Sequence, residues 1–97
     1  MPTYICLANY TDQGMRNVKD SPKRLNALKD IVAELGGQLT SFHLCMGTYD
    51  GVLIMDFPDD EAAAKFALAV GAGGNARTTT LKAFSEANYQ KIIADLP

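Results

Sequence analysis

Runs of apolar residues separated by turn-forming residues predict four β-strands. The first run, residues 3–10, contains many strand-favouring residues and is apolar at both sets of alternating positions, which is typical of a central strand. Three later runs have a similar character and predict the remaining strands at residues 38–46, 51–57 and 75–84. We therefore expect the chain to form one small sheet.

Apolar residues at helical spacing separate these strands. Ser21 and Pro22 are typical of a helix start. The apolar run behind them ends at a pair of glycines and consists of Leu25, Leu28, Ile31, Val32 and Leu35. The acidic segment 58–61 predicts a second helix start, because carboxylates stabilise the positive end of the helix dipole, and the glycine-rich segment 71–74 ends that helix. Ser85 predicts the cap of a short last helix.

A glycine-rich turn joins the second and third strands. Residues 47–51 have the sequence Gly-Thr-Tyr-Asp-Gly, which predicts a tight antiparallel hairpin. The resulting order, βαββαβ with an appended C-terminal helix, is that of the ferredoxin-like α+β fold. Right-handed crossovers then give the strand order four, one, three, two, in an antiparallel sheet with both main helices on one face.

The other face of the predicted sheet has no helix to cover it. Ile5 and Leu7 are suited to packing under the helices, so the alternate residues of the first strand are expected on this uncovered face: Tyr4, Cys6, Ala8 and Tyr10. Residues 52–55 are apolar on both sides, and a strand of that kind would expose a large apolar patch. We expect a second copy of the chain to cover it.

Length and composition limit the number of domains and the kinds of partner that we expect for this protein. A chain of 97 residues predicts a single domain over residues 1–97, with 47% hydrophobic and 21% charged residues, as in ordinary globular proteins. A net charge of −2 offers no basic surface for nucleic acid. The N-terminus lacks a signal-peptide pattern and no apolar run reaches the roughly 20 residues that span a bilayer, so we expect a cytoplasmic protein without membrane partners.

Polar residues in three loops predict a ligand site. We expect the first and third strands to run parallel as neighbours, which would bring the loops after Tyr10 and Phe57 to one end of the sheet. The residues expected there are Thr11, Asp12, Gln13, Arg16, Lys19, Asp56, Asp59, Asn75 and Arg77. The predicted ligand-binding residues among them are Asp12, Gln13, Arg16, Lys19, Asn75 and Arg77. Arg77 with Arg16 or Lys19 would bind an anion or carboxylate; the alternative is an ion-pair network that orders the loop.

A second group of polar residues surrounds the hairpin, which we expect at the opposite end of the sheet, near the start of the first strand. His43, Tyr49 and Asp50 form an alternative polar site there. His43 and Cys45 share one strand face, so two copies of the chain would supply four ligands to Zn or Cu. The alternative is a hydrogen-bonded histidine beside a packed thiol, with Cys45 and Cys6 both reduced inside strands.

Three ordered segments of the chain resemble the GYD-domain family. They are residues 11–14 with 20–24, the hairpin at 47–51, and residues 74–84, although Thr48 stands where the family name implies glycine. The resemblance implies a ferredoxin-like fold that dimerises sheet to sheet as a dimeric α/β barrel, in a family with no assigned general activity. Similar barrels include cofactor-independent monooxygenases, lactone isomerases and haem enzymes, which is an analogy of fold alone.

Two hypotheses of function follow. The first is a small homo-oligomeric binding module that takes a small polar or anionic ligand, since the sequence contains no complete catalytic constellation. The alternative is a cofactor-independent oxygenase or isomerase acting on a small aromatic or carbonyl substrate, with His43, Tyr49 or Arg77 as polar participants. The sequence identifies no cofactor.

Overall fold

The computed structural model describes all 97 residues and contains four strands and four α-helices. The strands are β1 (Thr3–Tyr10), β2 (Gln38–Leu44), β3 (Gly51–Asp56) and β4 (Ala76–Ala83). The helices are α1 (Asp12–Arg16), α2 (Ser21–Glu34), α3 (Asp60–Gly73) and α4 (Glu86–Ala94). The ferredoxin-like order is confirmed, with α1 and a 3₁₀ turn at Val18–Asp20 inside the segment predicted as a loop.

The strands form one sheet in the order β2-β3-β1-β4, and every neighbouring pair is antiparallel. The prediction that the first and third strands run parallel is therefore wrong. The crossover through α2 makes β2 point the same way as β1, and β3 reverses direction after β2. The register pairs Thr3 with Asp56 and Ala8 with Gly51, so Asp56 and Asp59 lie where β1 begins.

The two faces of the sheet are also exchanged relative to the prediction. Tyr4 and Cys6 are buried in the core formed with α2 and α3, with Ala8 packed against it. Ile5 and Leu7 alternate with them and lie on the opposite, uncovered face. Under the helices, the Tyr4 ring packs against Phe57 and its hydroxyl reaches a carboxylate in the first turn of α3.

Aromatic side chains are concentrated in the part of the core where β1 begins. We call this the closed end of the sheet. The Phe57 ring lies edge-on to Tyr4 at a centroid distance of 5.8 Å and packs against Phe66 at 5.7 Å. Met55 and Val32 complete this fully buried region. The closed end therefore has no space left between the sheet and the helices.

Local capping explains several of the element boundaries. Asp59 accepts a hydrogen bond from the Ala62 amide at 2.9 Å and begins α3, and Gly74 ends it with a φ of +81°, a backbone angle that favours glycine. Ser21 is the first residue of α2 rather than its cap, because the 3₁₀ turn leads directly into the helix. No helix has the length and apolarity needed to cross a bilayer.

α4 projects from the body of the chain. It begins two residues after β4 and makes no substantial contact with another helix or strand. The large apolar side chains of α4 and of the residues after it are exposed to solvent: Tyr89, Ile92, Ile93 and Leu96. The fold thus leaves two apolar surfaces without a partner, α4 and the uncovered face of the sheet.

Candidate functional site

A cleft of about 430 Å³ lies between the sheet and the two main helices at the end where β1 finishes, which we call the mouth end. Leu25, Leu28 and Ile31 of α2 form one wall, and Phe66 and Val70 of α3 contribute to the other. The sheet forms its floor. Ligand pockets in proteins typically have volumes of about 300–1,000 Å³, so the cleft is large enough for a small organic molecule.

Small side chains create this space. Several of the residues that line the cleft are small, namely Cys6, Ala8, Gly51, Ala69 and Ala76, whereas the large side chains of Tyr4, Met55 and Phe57 fill the closed end. α2 and α3 also make little contact with each other. Because few large side chains reach across the mouth end, the helices and sheet enclose a cleft there instead of a packed core.

The loop after β1 is fixed against the turn between α3 and β4. Thr11 donates its amide to the Asn75 carbonyl at 3.1 Å and its hydroxyl to the Gly74 carbonyl at 2.6 Å. Gln13 donates its side-chain amide to Asn75 Oδ1 at 3.1 Å. The approach is so close that a Cβ on Gly14 would lie 1.9 Å from the Asn75 carbonyl oxygen. Gln13 and Asn75 therefore come together, as the loop grouping predicted, and bond to each other.

The other residues predicted from the loops are more dispersed. Asp12, Arg16 and Lys19 are exposed on α1 and the 3₁₀ turn and do not line the cleft. Arg77 lies opposite Asn9 in the register, on the uncovered face, so it points away from the cleft. None of these cations forms an ion pair, and hydrogen bonds rather than ion pairs order the loop. A ligand-binding role for these residues stays a prediction.

Arg24 is a residue at the mouth that the sequence did not identify. Its guanidinium donates to the Asn17 carbonyl at 2.8 Å and to the Gly14 carbonyl at 3.3 Å, which ties α2 to the end of α1. The only sequence signal was its position one turn into α2, facing the long loop. Arg24 therefore stabilises the shape of the mouth.

The hairpin also lies at the mouth end, so the prediction that it lies near the start of β1 is wrong. The Asp50 amide donates to the Ala8 carbonyl, and Asp50 Oδ2 accepts the Tyr10 amide, both at 2.9 Å. Asn9 Nδ2 donates to the Thr48 carbonyl at 2.8 Å. Antiparallel pairing of β1 and β3 requires this placement. It brings Asp50 from the hairpin site to the wall of the cleft.

A sequence profile matches these features over nearly the whole chain. The GYD domain profile covers residues 4–93, from β1 to α4. The chain belongs to the GYD domain family. The resemblance noted from three segments is confirmed, and Thr48 is compatible with membership although it replaces the glycine of the family name.

Two relatives of this GYD domain come from Thermus thermophilus. A protein called glutamine synthetase and cystathionine beta-lyase binding protein is 27% identical over 89 residues, covering 91% of this chain and 94% of the relative. A solved crystal structure of a protein from the same organism is 26% identical with a TM-score of 0.55, covering 88% of this chain and 95% of the other. The structural match supports the ferredoxin-like fold.

His43 and Cys45 of this GYD domain lie away from the cleft. His43 is exposed on β2 opposite Val52, and Cys45 lies in the loop rather than inside the strand, because β2 ends at Leu44. The Cys45 thiol donates to the His43 carbonyl, with 3.8 Å between sulfur and oxygen. Within one chain no three side chains of metal-binding type converge. A metal site would need a second copy and stays a prediction.

Cys6 lies on the cleft floor of the GYD domain and is fully buried. Burial raises the pKa of its thiol to about 11, although the Thr78 and Thr80 hydroxyls act in the opposite direction. Since the thiolate is the nucleophilic form, Cys6 at neutral pH is a neutral, weakly polar part of the floor.

A second polar cluster of the GYD domain is at the closed end. The Tyr4 hydroxyl donates to Asp60 Oδ1, and Lys82 Nζ lies 2.9 Å from the same oxygen. Burial and the bond to Asp60 raise the pKa of Tyr4 to about 12, while the bonds from Tyr4 and Lys82 lower the pKa of Asp60. These three residues join β1, β4 and α3.

Proposed function

We propose that this GYD domain is a small-molecule binding module whose ligand occupies the cleft between the helices and the sheet. The cleft itself is the observation that carries the proposal, because it combines ligand-sized volume, apolar walls and a few polar groups at one end. Hydrogen bonds donated by the Thr11 and Gln13 side chains, and the bond that Asp50 Oδ2 accepts from the Tyr10 amide, hold its mouth in place before any ligand binds. A ligand with an apolar body fits these walls better than a wholly polar anion.

The positions of the reactive side chains favour binding over the enzymatic alternative. His43 and Arg77, two of the proposed participants in an oxygenase or isomerase reaction, lie outside the cleft. Cys6 inside it is held neutral by burial. The cleft therefore offers recognition groups but no paired acid and base for proton transfer.

Filling the cleft tests this proposal. Ala8→Ile adds buried methylenes to the floor, while Ala64→Leu adds a similar volume to an exposed position of α3 that does not line the cleft. We expect 2-phenylethanol to shift the amide NMR signals of residues such as Ala8 and Ala76 in the wild-type chain and in Ala64→Leu. Ala8→Ile should lose those shifts. Unchanged binding by Ala8→Ile, or shifts confined to the uncovered face, would contradict a ligand in the cleft.

We further propose that the module works as a homodimer of the dimeric α/β barrel type. The uncovered face carries a continuous apolar surface from three strands: Ile5, Leu7, Val52, Ile54 and Leu81. Leu81 is 46% exposed, and α4 adds further exposed apolar side chains. A monomer would leave both surfaces in water, so a second copy that covers them is the arrangement the hydrophobic effect favours.

Sedimentation tests the dimer. Leu81→Asp places a carboxylate on the proposed interface, whereas Leu68→Asp places one on α3, where the leucine is 74% exposed and far from that face. We expect Leu81→Asp to weaken association at least about tenfold and Leu68→Asp to leave it unchanged. A wild-type chain that stays monomeric and soluble at micromolar concentration would overturn the dimer.

A second candidate function is binding to metabolic enzymes. It is supported by the name of the relative that aligns with 91% of this chain, and α4 offers an amphipathic surface of the kind that docks into a groove. Surface plasmon resonance with glutamine synthetase and cystathionine β-lyase from the source organism tests it. We expect micromolar or tighter binding to at least one enzyme; no response from either would remove this candidate.

A further inference from the structure

We propose that Asp50 makes the cleft selective for ligands with a positively charged end, so that its ligand is an organic amine with an apolar body. This inference rests on the cleft binding a ligand, as proposed above, and adds the chemical class of that ligand. It depends on the few charged groups that line the cleft and on which of them is already engaged.

Only two charged residues line the cleft, Arg24 and Asp50. Arg24 donates to two backbone carbonyls, at Asn17 and Gly14, and its guanidinium therefore serves the loop beside it. No ion pair joins Arg24 to Asp50. The Arg24 guanidinium is therefore held by backbone carbonyls of the neighbouring loop. The Asp50 carboxylate has no cationic partner.

The Asp50 carboxylate has one oxygen available to a ligand. Oδ2 accepts the Tyr10 amide at 2.9 Å, which fixes the orientation of the side chain, and Oδ1 makes no hydrogen bond within the protein. Asp50 is half-buried, so Oδ1 remains accessible to a group that enters the cleft. A carboxylate held in one orientation is a strong acceptor for an ammonium group.

The remaining polar groups of the cleft are neutral. They are the side chains of Cys6, Tyr10, Ser21, Asn75 and Thr78. These groups can hydrogen-bond to many kinds of ligand and do not distinguish an amine from an alcohol by charge. A carboxylate ligand would approach Asp50 with a like charge, which is unfavourable beside apolar walls. Asp50 is therefore the group that determines which end of an amphipathic ligand is accepted.

Three compounds with the same apolar body test the proposal: 2-phenylethylamine, 2-phenylethanol and 3-phenylpropionate. Affinities are measured at neutral pH by NMR titration of the wild-type chain and of Asp50→Asn, which keeps an oxygen to accept the Tyr10 amide but removes the charge. Asp30→Asn on the exposed face of α2 is the matched control for loss of one carboxylate.

We expect the wild-type chain to bind the amine about tenfold more tightly than the alcohol, the effect typical of one charge-assisted hydrogen bond, and to bind the acid most weakly. Asp50→Asn should bind amine and alcohol equally, with the alcohol affinity unchanged, and Asp30→Asn should behave as wild type. Raising the salt concentration on the wild-type chain should weaken only the amine, a measurement that does not depend on the variant folding.

Equal affinity of the wild-type chain for all three compounds, or a preference for the acid, would overturn the selectivity for amines and leave the cleft as a binding site. Retention of the amine preference in Asp50→Asn would overturn the role of Asp50. If none of the compounds shifts the signals of cleft residues, the proposed binding function fails together with this inference.

Discussion

The two ends of the sheet are built from the same strands and the same two helices, yet one is filled and the other is hollow. At the closed end, Tyr4, Phe57 and Phe66 pack ring against ring between the sheet and the helices. At the mouth end, Ala8, Gly51 and Ala76 are too small to bridge the same gap. The fold supplies the two layers, and side-chain volume decides whether a core or a cleft lies between them.

The hydrogen bonds differ in a corresponding way. At the closed end, one exposed carboxylate, Asp60, accepts from Tyr4 and Lys82 and links three elements around a full core. At the mouth end, Asn75 and Asp50 link loops around an empty space. The closed end is therefore expected to carry most of the stability, and the mouth end to carry the binding surface.

Truncating one phenylalanine at each end gives the largest test of this comparison. Phe57 is fully buried at the closed end, so Phe57→Ala should lower the free energy of unfolding by about 3–5 kcal/mol. Phe42 is half-buried on the cleft wall, so Phe42→Ala should cost only about 1 kcal/mol. Urea unfolding measures both variants. Equal losses would show that the mouth end is packed as tightly as the closed end.

The close approach that shapes the mouth gives the next largest effect. Gly14→Ala would place a Cβ against the Asn75 carbonyl oxygen, so the loop must shift, and we expect a loss of about 1–3 kcal/mol. Gly71→Ala is the matched control, because a Cβ there meets no atom within 4 Å in the last part of α3. That variant should gain about 0.5–1 kcal/mol. Thermal unfolding of the two variants separates the steric effect of a Cβ at Gly14 from the gain in helix propensity that alanine gives at Gly71.

The smallest effect concerns the polar cluster at the closed end. Tyr4→Phe removes one hydrogen bond and should cost about 0.5–1.5 kcal/mol at neutral pH. Because folding raises the pKa of Tyr4 from 10.0 to about 12, its contribution is complete below pH 10 and declines as the pH rises through that range, where only the unfolded chain releases the proton.

Urea unfolding across alkaline pH checks this prediction. The stability difference between wild type and Tyr4→Phe should shrink from pH 10 towards pH 12. A difference that stays constant over that range would show that Tyr4 titrates normally and that the closed end is open to water.

The sequence was sufficient for the four strands and the three longer helices, because hydrophobic periodicity is a local signal, and right-handed crossovers gave the strand order. It did not predict α1 or the 3₁₀ turn. The predicted direction of β3 relative to β1 was wrong. β2 runs parallel to β1, and β3 follows β2 through a hairpin, so β3 must run antiparallel to β1. The prediction of which face of β1 lies under the helices was also wrong. It relied on side-chain size, and Ile5 and Leu7 are larger than Cys6 and Ala8. Size alone favoured placing Ile5 and Leu7 under the helices, whereas in the structure the Tyr4 ring packs there against Phe57.

The candidate site was less accessible to sequence reasoning. Gln13 and Asn75 were grouped correctly because Gln13 follows the end of β1 and Asn75 precedes the start of β4, and these points meet at one end of the antiparallel pair. Asp50 was assigned to the opposite end as a direct result of the error in strand direction. The cleft was missed because it arises from small residues spread over both helices and three of the strands, and no local pattern in the chain marks their convergence.

β1 occupies the middle of the sheet although it is the first strand to be synthesised. Its partners, β3 and β4, begin only at Gly51 and Ala76, so about half of the chain must leave the ribosome before β1 can pair. Until then β1 has no neighbouring strand to hydrogen-bond with, and its apolar residues can aggregate with other chains or bind chaperones. The yield of folded protein in the cell is therefore expected to depend on how quickly the second half of the chain is translated.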